Sequence, residues 1–318
     1  MNICMVGEGA FGHKHLDAIQ NIENVEVVSL AGGIESSTLS TSEKYGIPHW
    51  TLDLDEALAQ PGVEAAIITS PTPIHAHQAI QVMEAGKHVM VEIPMADSLS
   101  DAEKICSVQE RTGLVAMAGH TRRFNLSHQY LHNKITAGEL SVQQMDVQTY
   151  FFRRQNLNAL GQPRSWTDHL LWHHACHTVD LFAYQTGEDI VQVQAMQGPV
   201  HPGLGIAMDM SIGLKTKSGK LCTLSLSFNN NGPLGTFFRY ICDNGTFIAR
   251  YDDLVNGYEE PVDVSQVDVS MNGIELQDRE FFASIREGRE PNASVRQALP
   301  AMKILDQIEK ELEKWNQE

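Results

Sequence analysis

The first twelve residues, Met1–Gly12, read MNICMVGEGAFG and join a short apolar run to three glycines spaced as Gly-x-Gly-x-x-Gly. In this pattern Gly7 allows the tight turn out of a strand, and Gly9 lets the backbone come close to a pyrophosphate. Gly12 lets the following helix pack against the strand while its first amides face the phosphates. Three glycines alone are a weak signal. Together with the strand before them and the amphipathic helix after them, they predict a dinucleotide-binding unit.

Length and composition restrict the class of protein. The chain of 318 residues is too long for one ordinary core and suits two domains. It has no stretch near the roughly 20 apolar residues that a membrane span needs, and its first strand leaves no room for a signal peptide. Five scattered cysteines without a Cys-x-x-Cys pair favour a reduced, cytoplasmic protein. The net charge of −17 argues against nucleic acid or an anionic membrane as a partner.

The residues up to about position 120 alternate short apolar runs with segments of helical length. Strands that alternate with helices predict a parallel sheet that is covered on both faces. The predicted strands are Ile3–Val6, Val25–Leu30, Ala65–Thr69, His88–Val91 and Val115–Ala118, and the predicted helices include Leu54–Ala59, Ile74–Ala85 and Ser98–Thr112.

After Leu140 the apolar runs are mostly separated by turns, which predicts a largely antiparallel sheet. The Asn244-Gly245 pair is a hairpin signal, and Ser218-Gly219 marks another turn. We therefore expect an α/β chain with a dinucleotide-binding domain at 1–121 and a second domain at 122–318, whose last helices can pack back on the first. The predicted elements here are strands at Val142–Phe152, Ile190–Met196, Ala207–Thr216, Leu221–Phe228, Phe237–Cys242 and Thr246–Ala249, a helix near Trp166–Gln185, and closing helices from about Ile274 and Ser294.

A basic region interrupts this acidic chain. Seven of the fourteen histidines lie between positions 120 and 177, and five arginines lie within the same part of the chain. Such a region suits a small polyanion, whereas the alternative is that these arginines pair with Asp and Glu on solvated faces. The residues are His120, His128, His132, His169, His173, His174 and His177, with Arg122, Arg123, Arg153, Arg154 and Arg164.

Five short motifs follow one another along the chain. They are Gly7–Gly12, Ser70-Pro71-Thr72-x-x-His75, Glu92-Ile93-Pro94, Gly119-His120-Thr121-Arg122-Arg123-Phe124 and His173-x-x-x-His177-x-x-Asp180. In this order the chain resembles the glucose–fructose oxidoreductase and inositol dehydrogenase family over nearly its whole length. The resemblance implies a Rossmann domain, then an α/β domain with a large, mostly antiparallel open sheet that mediates formation of a homodimer or higher homo-oligomer. It also implies an active site between the two domains.

A narrower resemblance is carried by longer segments, which are Gly119–Gln129, Gln144–Arg154, Arg164–Asp180 and Asn229–Asp253. Within the family they are similar to dehydrogenases of dicarboxylate semialdehydes in the catabolism of aromatic acids. This resemblance implies oxidation of a cyclic hemiacetal to a lactone with NADP or NAD. The carbon that loses hydride bears the hemiacetal hydroxyl, and the substrate is a small dicarboxylate.

A dicarboxylate substrate calls for arginine, because the planar guanidinium donates two parallel hydrogen bonds to a carboxylate. Arg122 and Arg123 come just after a strand end, where sites of this fold open. The second domain offers further candidates for substrate binding, which are Arg153, Arg154, Arg164, Trp166 and His174.

Loss of hydride also needs a base for the hydroxyl proton, and histidine titrates near neutral pH. His173 and His177 stand four residues apart and share one face of a helix. By family position His177 is the expected proton acceptor, and His173 is a relay or a carboxylate ligand. Ile93 departs from the family, which usually has Glu-Lys-Pro there. Isoleucine cannot transfer a proton, so this role shifts to the histidines.

The cofactor is expected to be NADP, with NAD tolerated. An acid at the end of the second strand would bind the 2′-hydroxyl of NAD, but that place reads Ala31-Gly32-Gly33. Ser36, Ser37 and Thr38 can donate to a 2′-phosphate, although no Lys or Arg stands beside them, and Glu35 is the remaining candidate for the 2′-hydroxyl. From the glycine motif and family position, the cofactor-binding candidates are Gly7, Gly9, Ala10, Phe11, Gly12, Ser36, Ser37, Ser70, Pro71, Thr72, His75, Glu92 and Pro94.

Three other functions stay open at this point. A sugar or cyclic polyol dehydrogenase of the same family is one, although a neutral polyol does not need several arginines. The His173-His174-x-x-His177 spacing also suits a metal site, but the glutamate of His-Glu-x-x-His is missing and no third ligand is evident, so we expect no metal. A non-catalytic protein that binds a nucleotide or an aromatic acid is the third, because fold alone does not give activity.

Overall fold

The computed structural model describes residues 1–157, 161, 163–164, 166–265 and 273–315. The chain forms two compact units, of which the first consists of Met1–Thr121 and Val269–Leu299 and the second of Arg122–Asp268 and Pro300–Glu318. The sequence-based range 122–318 therefore includes a segment of the first unit. The reason is that the helix beginning at Ile274 packs on the first helix of the chain.

The strands are β1 (Asn2–Val6), β2 (Glu26–Ala31), β3 (His49–Thr51), β4 (Val63–Ile68), β5 (His88–Val91), β6 (Ala116–Ala118), β7 (Val142–Tyr150), β8 (Ile190–Gln197), β9 (Asp209–Thr216), β10 (Leu221–Ser227), β11 (Gly235–Cys242), β12 (Gly245–Arg250) and β13 (Asp253–Asn256). The helices are α1 (Ala10–Ile19), α2 (Glu35–Tyr45), α3 (Leu54–Leu58), α4 (His75–Glu84), α5 (Leu99–Thr112), α6 (Leu126–Thr136), α7 (Cys176–Thr186), α8 (Ile274–Glu287) and α9 (Val295–Trp315).

The first unit contains a six-stranded sheet in the order β3-β2-β1-β4-β5-β6, in which every neighbouring pair is parallel. Its central strands are buried along most of their length, as expected when both faces are covered. The predicted parallel sheet is confirmed. The sequence pattern does not predict β3, because a strand of three residues is too short to show periodicity.

The strand order reverses direction at the pair β1 and β4, and ligands of open α/β sheets bind beyond the carboxyl ends of strands at such a point. Gly7 follows β1 there, and its amide donates to the carbonyl of Ala31 at the end of β2. The amide of Thr69, after β4, donates to the carbonyl of Val6. The glycine motif is thus fixed at the edge where a dinucleotide is expected.

His15 on α1 lies fully buried between two carboxylates of the first unit. Its Nδ1 lies 2.8 Å from Oδ1 of Asp278, and its Nε2 lies 3.1 Å from Oε1 of Glu92. Burial alone would lower the pKa of His15, but the charges and hydrogen bonds of Asp278 and Glu92 raise it to about 10. The imidazolium therefore connects α1, the residue after β5, and α8.

The second unit contains a seven-stranded sheet in the order β13-β12-β11-β7-β10-β9-β8. The pair β7 and β10 is parallel and the other pairs are antiparallel, which confirms the expected large, mostly antiparallel sheet. The hairpin is confirmed as well, because Cys242 pairs with Gly245 across a two-residue turn. Gly245 has φ +132°, a value that glycine adopts without strain.

The helix predicted near Trp166–Gln185 begins later than expected. Residues 170–175 form a π-helical turn, and α7 continues from Cys176. His169 before the turn has extended backbone angles, so the helix cannot begin earlier, and Asp168 beside it forms ion pairs with Arg153 and Arg164. The sequence pattern also does not predict α6 or β13. Both closing helices are present as α8 and α9.

Within the described residues, the helices are all too short or too polar to cross a bilayer.

Replacing His15 with Gln should lower the free energy of unfolding by about 3–5 kcal/mol, because two carboxylates would stay buried without their cation. The loss should be largest at or below pH 6.5, the ordinary pKa of histidine, and should shrink as the pH rises through about 10, where His15 gives up its charge. Urea unfolding at pH 6.5 and near pH 10 measures both values.

His77→Gln is the matched control, because His77 is an exposed histidine of the same unit. Its effect should stay within about 0.5 kcal/mol. Equal losses in the two variants, or a loss in H15Q that does not change with pH, would show that the charge on His15 does not stabilise the fold.

Candidate active site

The glycine loop joins β1 to α1, and its three glycines meet different steric demands. Gly7 has φ +106°, and a Cβ there would lie 2.8 Å from the backbone N of Ser70. A Cβ on Gly12 would lie 2.2 Å from the carbonyl oxygen of Gly7, so only glycine lets α1 pack this close. A Cβ on Gly9 would meet nothing within 4 Å. Gly7 and Gly12 therefore shape the loop, and the space beside Gly9 fits the approach of a pyrophosphate.

The beginning of α1 also fits an anionic group. Gly9 precedes the helix and has no side chain to cap it, and Ala10 and Phe11 are exposed in the first turn. Backbone amides at such a helix end, together with the helix dipole, favour phosphate. The loop and this helix end are the parts of the first unit that would hold the diphosphate of a dinucleotide.

Glu8 lies inside the glycine motif and contacts the loop after β2. Its carboxylate accepts hydrogen bonds from the amides of Gly33 and Ile34, each at 3.0 Å, and from the hydroxyl of Ser37 at 3.0 Å. Those donors belong to the beginning of α2. The carboxylate therefore caps α2 from a different segment of the chain.

The residues expected to bind a 2′-phosphate are differently placed. Thr38 is fully buried and donates its hydroxyl to the carbonyl of Ile34 at 2.7 Å. Ser37 contacts Glu8, and Ser36 is exposed in the first turn of α2. The hydroxyls of Ser37 and Thr38 are thus already engaged within the chain.

His75 begins α4 and joins the two loops that follow β4 and β5. Its Nε2 lies 2.7 Å from the carbonyl oxygen of Ser70, and its Nδ1 lies 2.9 Å from that of Pro94. Carbonyl oxygens only accept, so a neutral ring makes one of these hydrogen bonds and an imidazolium makes both. Thr72 is buried in the turn between them, and Pro71 is exposed. His75 therefore holds the predicted cofactor loops in position through backbone contacts.

Glu92 is buried and is engaged with other side chains of the first unit. Its Oε1 accepts from Nε2 of Gln277 at 3.2 Å as well as contacting His15. A Cβ on Gly119 would lie 2.5 Å from the same oxygen, so a larger residue there would displace the Glu92 carboxylate. The contacts of Glu92 give it a part in the core of the first unit, next to the loops held by His75.

In the second unit Asp168 binds three cationic or protonatable side chains, and we call Asp168 with Arg153, Arg164 and His174 the Asp168 cluster. Arg153 donates through both of its terminal nitrogens, Arg164 donates at 3.0 Å, and His174 Nε2 lies 3.3 Å away. Burial alone would raise the pKa of Asp168, but hydrogen bonds from His174 and Arg153 hold it well below its usual range. Two guanidinium groups around one carboxylate leave excess positive charge.

The histidines next to this cluster differ in their hydrogen bonds and in their pKa. The backbone N–H of His169 donates to Nδ1 of His173 at 3.2 Å, so the proton of a neutral His173 ring is on Nε2. Trp166 stacks on His173 with ring centroids 5.5 Å apart. Burial, and then the charge of His174, lowers the pKa of His169 to about 4, so that ring is neutral. His177 is half-buried in the first turn of α7.

The other predicted arginines have different surroundings. Arg123 is buried and binds Asp180 through two hydrogen bonds of 2.8 and 2.6 Å, which uses its guanidinium inside the unit. Arg122 lies over the ring of Tyr251 at 4.7 Å. Arg154 is exposed and donates mainly to backbone carbonyls. The structure thus brings Arg153, Arg164 and His174 together on Asp168 and leaves Arg122, Arg123 and Arg154 outside that cluster.

Asp168 and Glu8 each hold several residues of their unit together, and neither is among the candidates predicted from the sequence. Asp168 is four residues after Arg164, and an acid in the middle of the basic region was the available signal. Glu8 stands between two motif glycines, but its contacts to Gly33 and Ile34 join segments about 25 residues apart, which no local pattern reveals.

Among the described residues, no group of three or more His, Cys, Asp or Glu side chains is arranged to hold a metal ion.

Known families match both units. The "Oxidoreductase family, NAD-binding Rossmann fold" matches residues 1–120, and "Bacterial oxidoreductases, C-terminal" matches residues 126–268. The chain is 67% identical over 314 residues to 4-carboxy-2-hydroxymuconate-6-semialdehyde dehydrogenase from Sphingobium sp. (strain NBRC 103272 / SYK-6), and the match covers 99% of each chain. The chain belongs to this oxidoreductase family. The first unit is its NAD-binding Rossmann fold, and the resemblance drawn from the motifs is confirmed.

More distant relatives agree with this assignment. The scyllo-inositol 2-dehydrogenase (NAD(+)) of Bacillus subtilis (strain 168) is 28% identical over 137 residues, which is 43% of this chain and 40% of that protein. The structure of levoglucosan dehydrogenase in complex with NADH and levoglucosan superposes with a TM-score of 0.87 at 18% identity, covering 99% and 97% of the two chains. At that identity the superposition shows the shared fold. The assignment of the chain as an oxidoreductase rests on the family match and on the 67% identical relative.

Two glycine variants should separate shape from binding in the glycine loop. Gly12→Ala should destabilise the first unit, because its Cβ would meet the Gly7 carbonyl at 2.2 Å, and overpacking of this kind costs about 1–3 kcal/mol. Gly9→Ala should leave the melting temperature unchanged yet weaken NAD binding on the order of tenfold, since its methyl group would occupy the pyrophosphate approach. Thermal unfolding and calorimetric titration with NAD measure the two effects.

The expected contrast is a loss of stability in G12A and a loss of NAD affinity in G9A. If G9A binds NAD as the wild type does, the diphosphate does not approach the chain at Gly9.

Proposed function

We propose that the chain oxidises the cyclic hemiacetal of 4-carboxy-2-hydroxymuconate-6-semialdehyde to 2-pyrone-4,6-dicarboxylate, in the protocatechuate 4,5-cleavage route of aromatic catabolism. The observation that carries the proposal is the 67% identity to the dehydrogenase of that name, which extends through the second unit as well as the cofactor unit. The Asp168 cluster supports it, because its excess positive charge suits a substrate with two carboxylates.

The reaction removes a hydride and a proton from one C–OH group. The nicotinamide ring of the bound cofactor supplies the hydride acceptor. The chain has to bind the two carboxylates, orient the hydroxyl-bearing carbon, and accept the hydroxyl proton. The carbon loses its hydrogen and becomes the carbonyl of the lactone, so the ring is retained in the product.

We assign the proton acceptor to His177. The support comes from its neighbour His173, whose Nδ1 already accepts the backbone N–H of His169. The Nδ1 lone pair of His173 is therefore occupied, so a neutral His173 is the less suitable of the two rings to accept a proton. Ile93, where relatives usually have lysine, offers no competing group. His177 acts as the base, and His173 positions the substrate.

The carboxylates are assigned first to Arg153, Arg164 and His174. These side chains share one carboxylate partner, so they have donor capacity left for a second anion. Trp166 stacks on His173 and lies 5.3 Å from the guanidinium of Arg164, which suits the floor of a site for a flat ring. Arg122, Arg123 and Arg154 are secondary candidates, and Arg123 in particular serves Asp180.

The remaining parts of the proposal concern the cofactor, the assembly and the compartment. NAD or NADP binds at the glycine loop of the first unit, and the loops held by His75 contribute to its nicotinamide side. NADP is the preferred cofactor in this proposal, because the end of β2 carries no acid, and NAD is tolerated. A homodimer or higher oligomer in the cytoplasm fits the family and the scattered cysteines of the sequence, and light scattering after gel filtration tests the assembly.

The direct test mixes the purified chain with freshly made protocatechuate 4,5-cleavage product and either NAD or NADP, and follows the absorbance of the reduced nicotinamide. Inositol and glucose serve as parallel substrates. Turnover of the cleavage product alone supports the proposal. Activity restricted to a polyol would overturn the substrate assignment and leave the family assignment in place.

His177→Ala should lower kcat by about 10²–10⁴, which is the usual contribution of general acid–base catalysis. Steady-state kinetics of the wild type and of H177A at saturating substrate measures the change in kcat. His201→Ala is the matched control in the same unit. Near-normal turnover by H177A would remove His177 from the role of base.

Arg164→Lys should raise KM for the dicarboxylate more than it lowers kcat, because lysine keeps the charge but not the paired donors. Arg250→Lys is the control, since Arg250 packs on Phe237 away from the Asp168 cluster. Steady-state kinetics on both variants gives the comparison. An unchanged KM in R164K would place the substrate carboxylates on other arginines.

A further inference from the structure

Asp168 connects three donors from separate parts of the second unit. Arg153 follows β7, Arg164 precedes Asp168 by four residues, and His174 lies in the π-helical turn before α7. One carboxylate oxygen, Oδ1, accepts from Arg153 and also from Nη1 of Arg164, the latter at 3.0 Å. The other, Oδ2, accepts from Nη2 of Arg153 at 2.7 Å and lies 3.3 Å from Nε2 of His174. Both oxygens are therefore shared between donors from different segments.

The carboxylate lies between charges that would otherwise repel each other. The side chains of Arg153 and Arg164 are only 15% and 24% exposed, and both donate to Oδ1 of Asp168. Like charges repel more strongly where protein replaces water around them, because the effective dielectric constant is lower. A negative charge between the two guanidinium groups offsets this repulsion. Asp168 therefore allows two arginines to occupy one site.

Further contacts orient each donor. Nε of Arg164 donates to the carbonyl oxygen of Leu157 at 2.9 Å, and the guanidinium of Arg153 lies 4.5 Å from the centre of the Phe228 ring. The ring of His174 packs edge-on against Phe228, with centroids 5.1 Å apart. Because a guanidinium has five N–H donors, each arginine keeps donors for a second acceptor. The three side chains thus have defined positions and can still bind an anion.

Asp168 has two opposite effects on an anion that binds to these donors. Its charge repels the anion, whereas its hydrogen bonds hold the donors in place before the anion arrives. A mobile arginine side chain loses conformational freedom when it binds a ligand, and a side chain that is already ordered loses less. Two guanidinium groups outweigh one carboxylate, so the site stays positive. We therefore expect the ordering effect to exceed the repulsion.

We propose that Asp168 is a positioning residue for substrate binding, whose carboxylate preorganises Arg153, Arg164 and His174 to receive a carboxylate of a flat dicarboxylate ligand. Asp168 acts through these three side chains and does not itself contact the ligand. The proposal rests on the proposed function for the identity of the substrate, but it requires only that the cluster binds a carboxylate.

Asp168→Asn keeps the shape of the side chain, but its amide nitrogen would direct hydrogens at a guanidinium group. KM for the semialdehyde should rise about 10- to 100-fold, the range for loss of a hydrogen bond to a charged group, and kcat should change less than about threefold. Glu188→Gln is the matched control, since Glu188 is an ion-paired carboxylate of the same unit, 3.0 Å from Nζ of Lys220. Steady-state kinetics should give changes below about twofold in E188Q.

Calorimetric titration with isophthalate measures the binding step alone. Isophthalate is a flat ring with two carboxylates, and the titration uses the full chain with its oxidised cofactor bound. The wild type should bind isophthalate, and D168N should bind it at least about tenfold more weakly. An affinity in D168N equal to or above that of the wild type would overturn the proposal, because the charge of Asp168 would then only repel the anion. An equal loss in E188Q, or no binding by the wild type, would overturn it as well.

Asp168→Glu guards against a loss of the fold in D168N, because it keeps the charge and both acceptor oxygens. D168E should have the melting temperature of the wild type and bind isophthalate within about tenfold of it. A larger loss of affinity at an unchanged melting temperature would contradict the proposal. If the variants bind isophthalate as expected but the wild type does not turn over the semialdehyde, only the proposed function fails.

Discussion

The close contact between α1 and β1 is the constraint on which the first unit depends. A Cβ on Gly12 would lie 2.2 Å from the Gly7 carbonyl, so glycine at this position sets how near the helix comes to the strand. The same approach brings His15 on α1 within hydrogen-bond distance of Glu92 after β5. It also fixes the turn from which Glu8 contacts the amides before α2. The glycine loop and the ion network around His15 therefore both depend on the close packing of α1 on β1.

The two units differ in the balance of charge within their ion networks. In the first unit a buried cation, His15, is compensated by two carboxylates. In the second, one carboxylate, Asp168, compensates two guanidinium groups and a histidine. The second arrangement leaves positive charge for a ligand, whereas the first leaves none. This difference is consistent with a dinucleotide held mainly by backbone amides and a dicarboxylate held by side chains.

Much of the fold follows from the sequence, because parallel strands are apolar on both faces and hairpin turns have strong local signals. The Gly7–Gly12 motif and the Asn244-Gly245 turn are of this kind, and the structure confirms what they predict. The π-helical turn before α7 does not follow, because its apolar pattern resembles that of an ordinary helix, and the ion pair between Arg153 and Asp168 joins residues 15 positions apart. The contact of Glu8 with Gly33 is likewise a tertiary contact without periodicity. The motifs predict candidate residues for the site, but which arginine is paired with an internal acid depends on such long-range contacts.

The proposed reaction requires the chain to bind its substrate as the cyclic hemiacetal, so that oxidation gives a lactone. Mass spectrometry and NMR of the product, formed from the protocatechuate cleavage product with NAD, identify it without reference to rates. We predict one lactone, 2-pyrone-4,6-dicarboxylate, for each reduced nicotinamide formed. A product heavier by one water, formed as an open-chain tricarboxylate from the first turnover, would contradict it and indicate oxidation of the hydrated aldehyde.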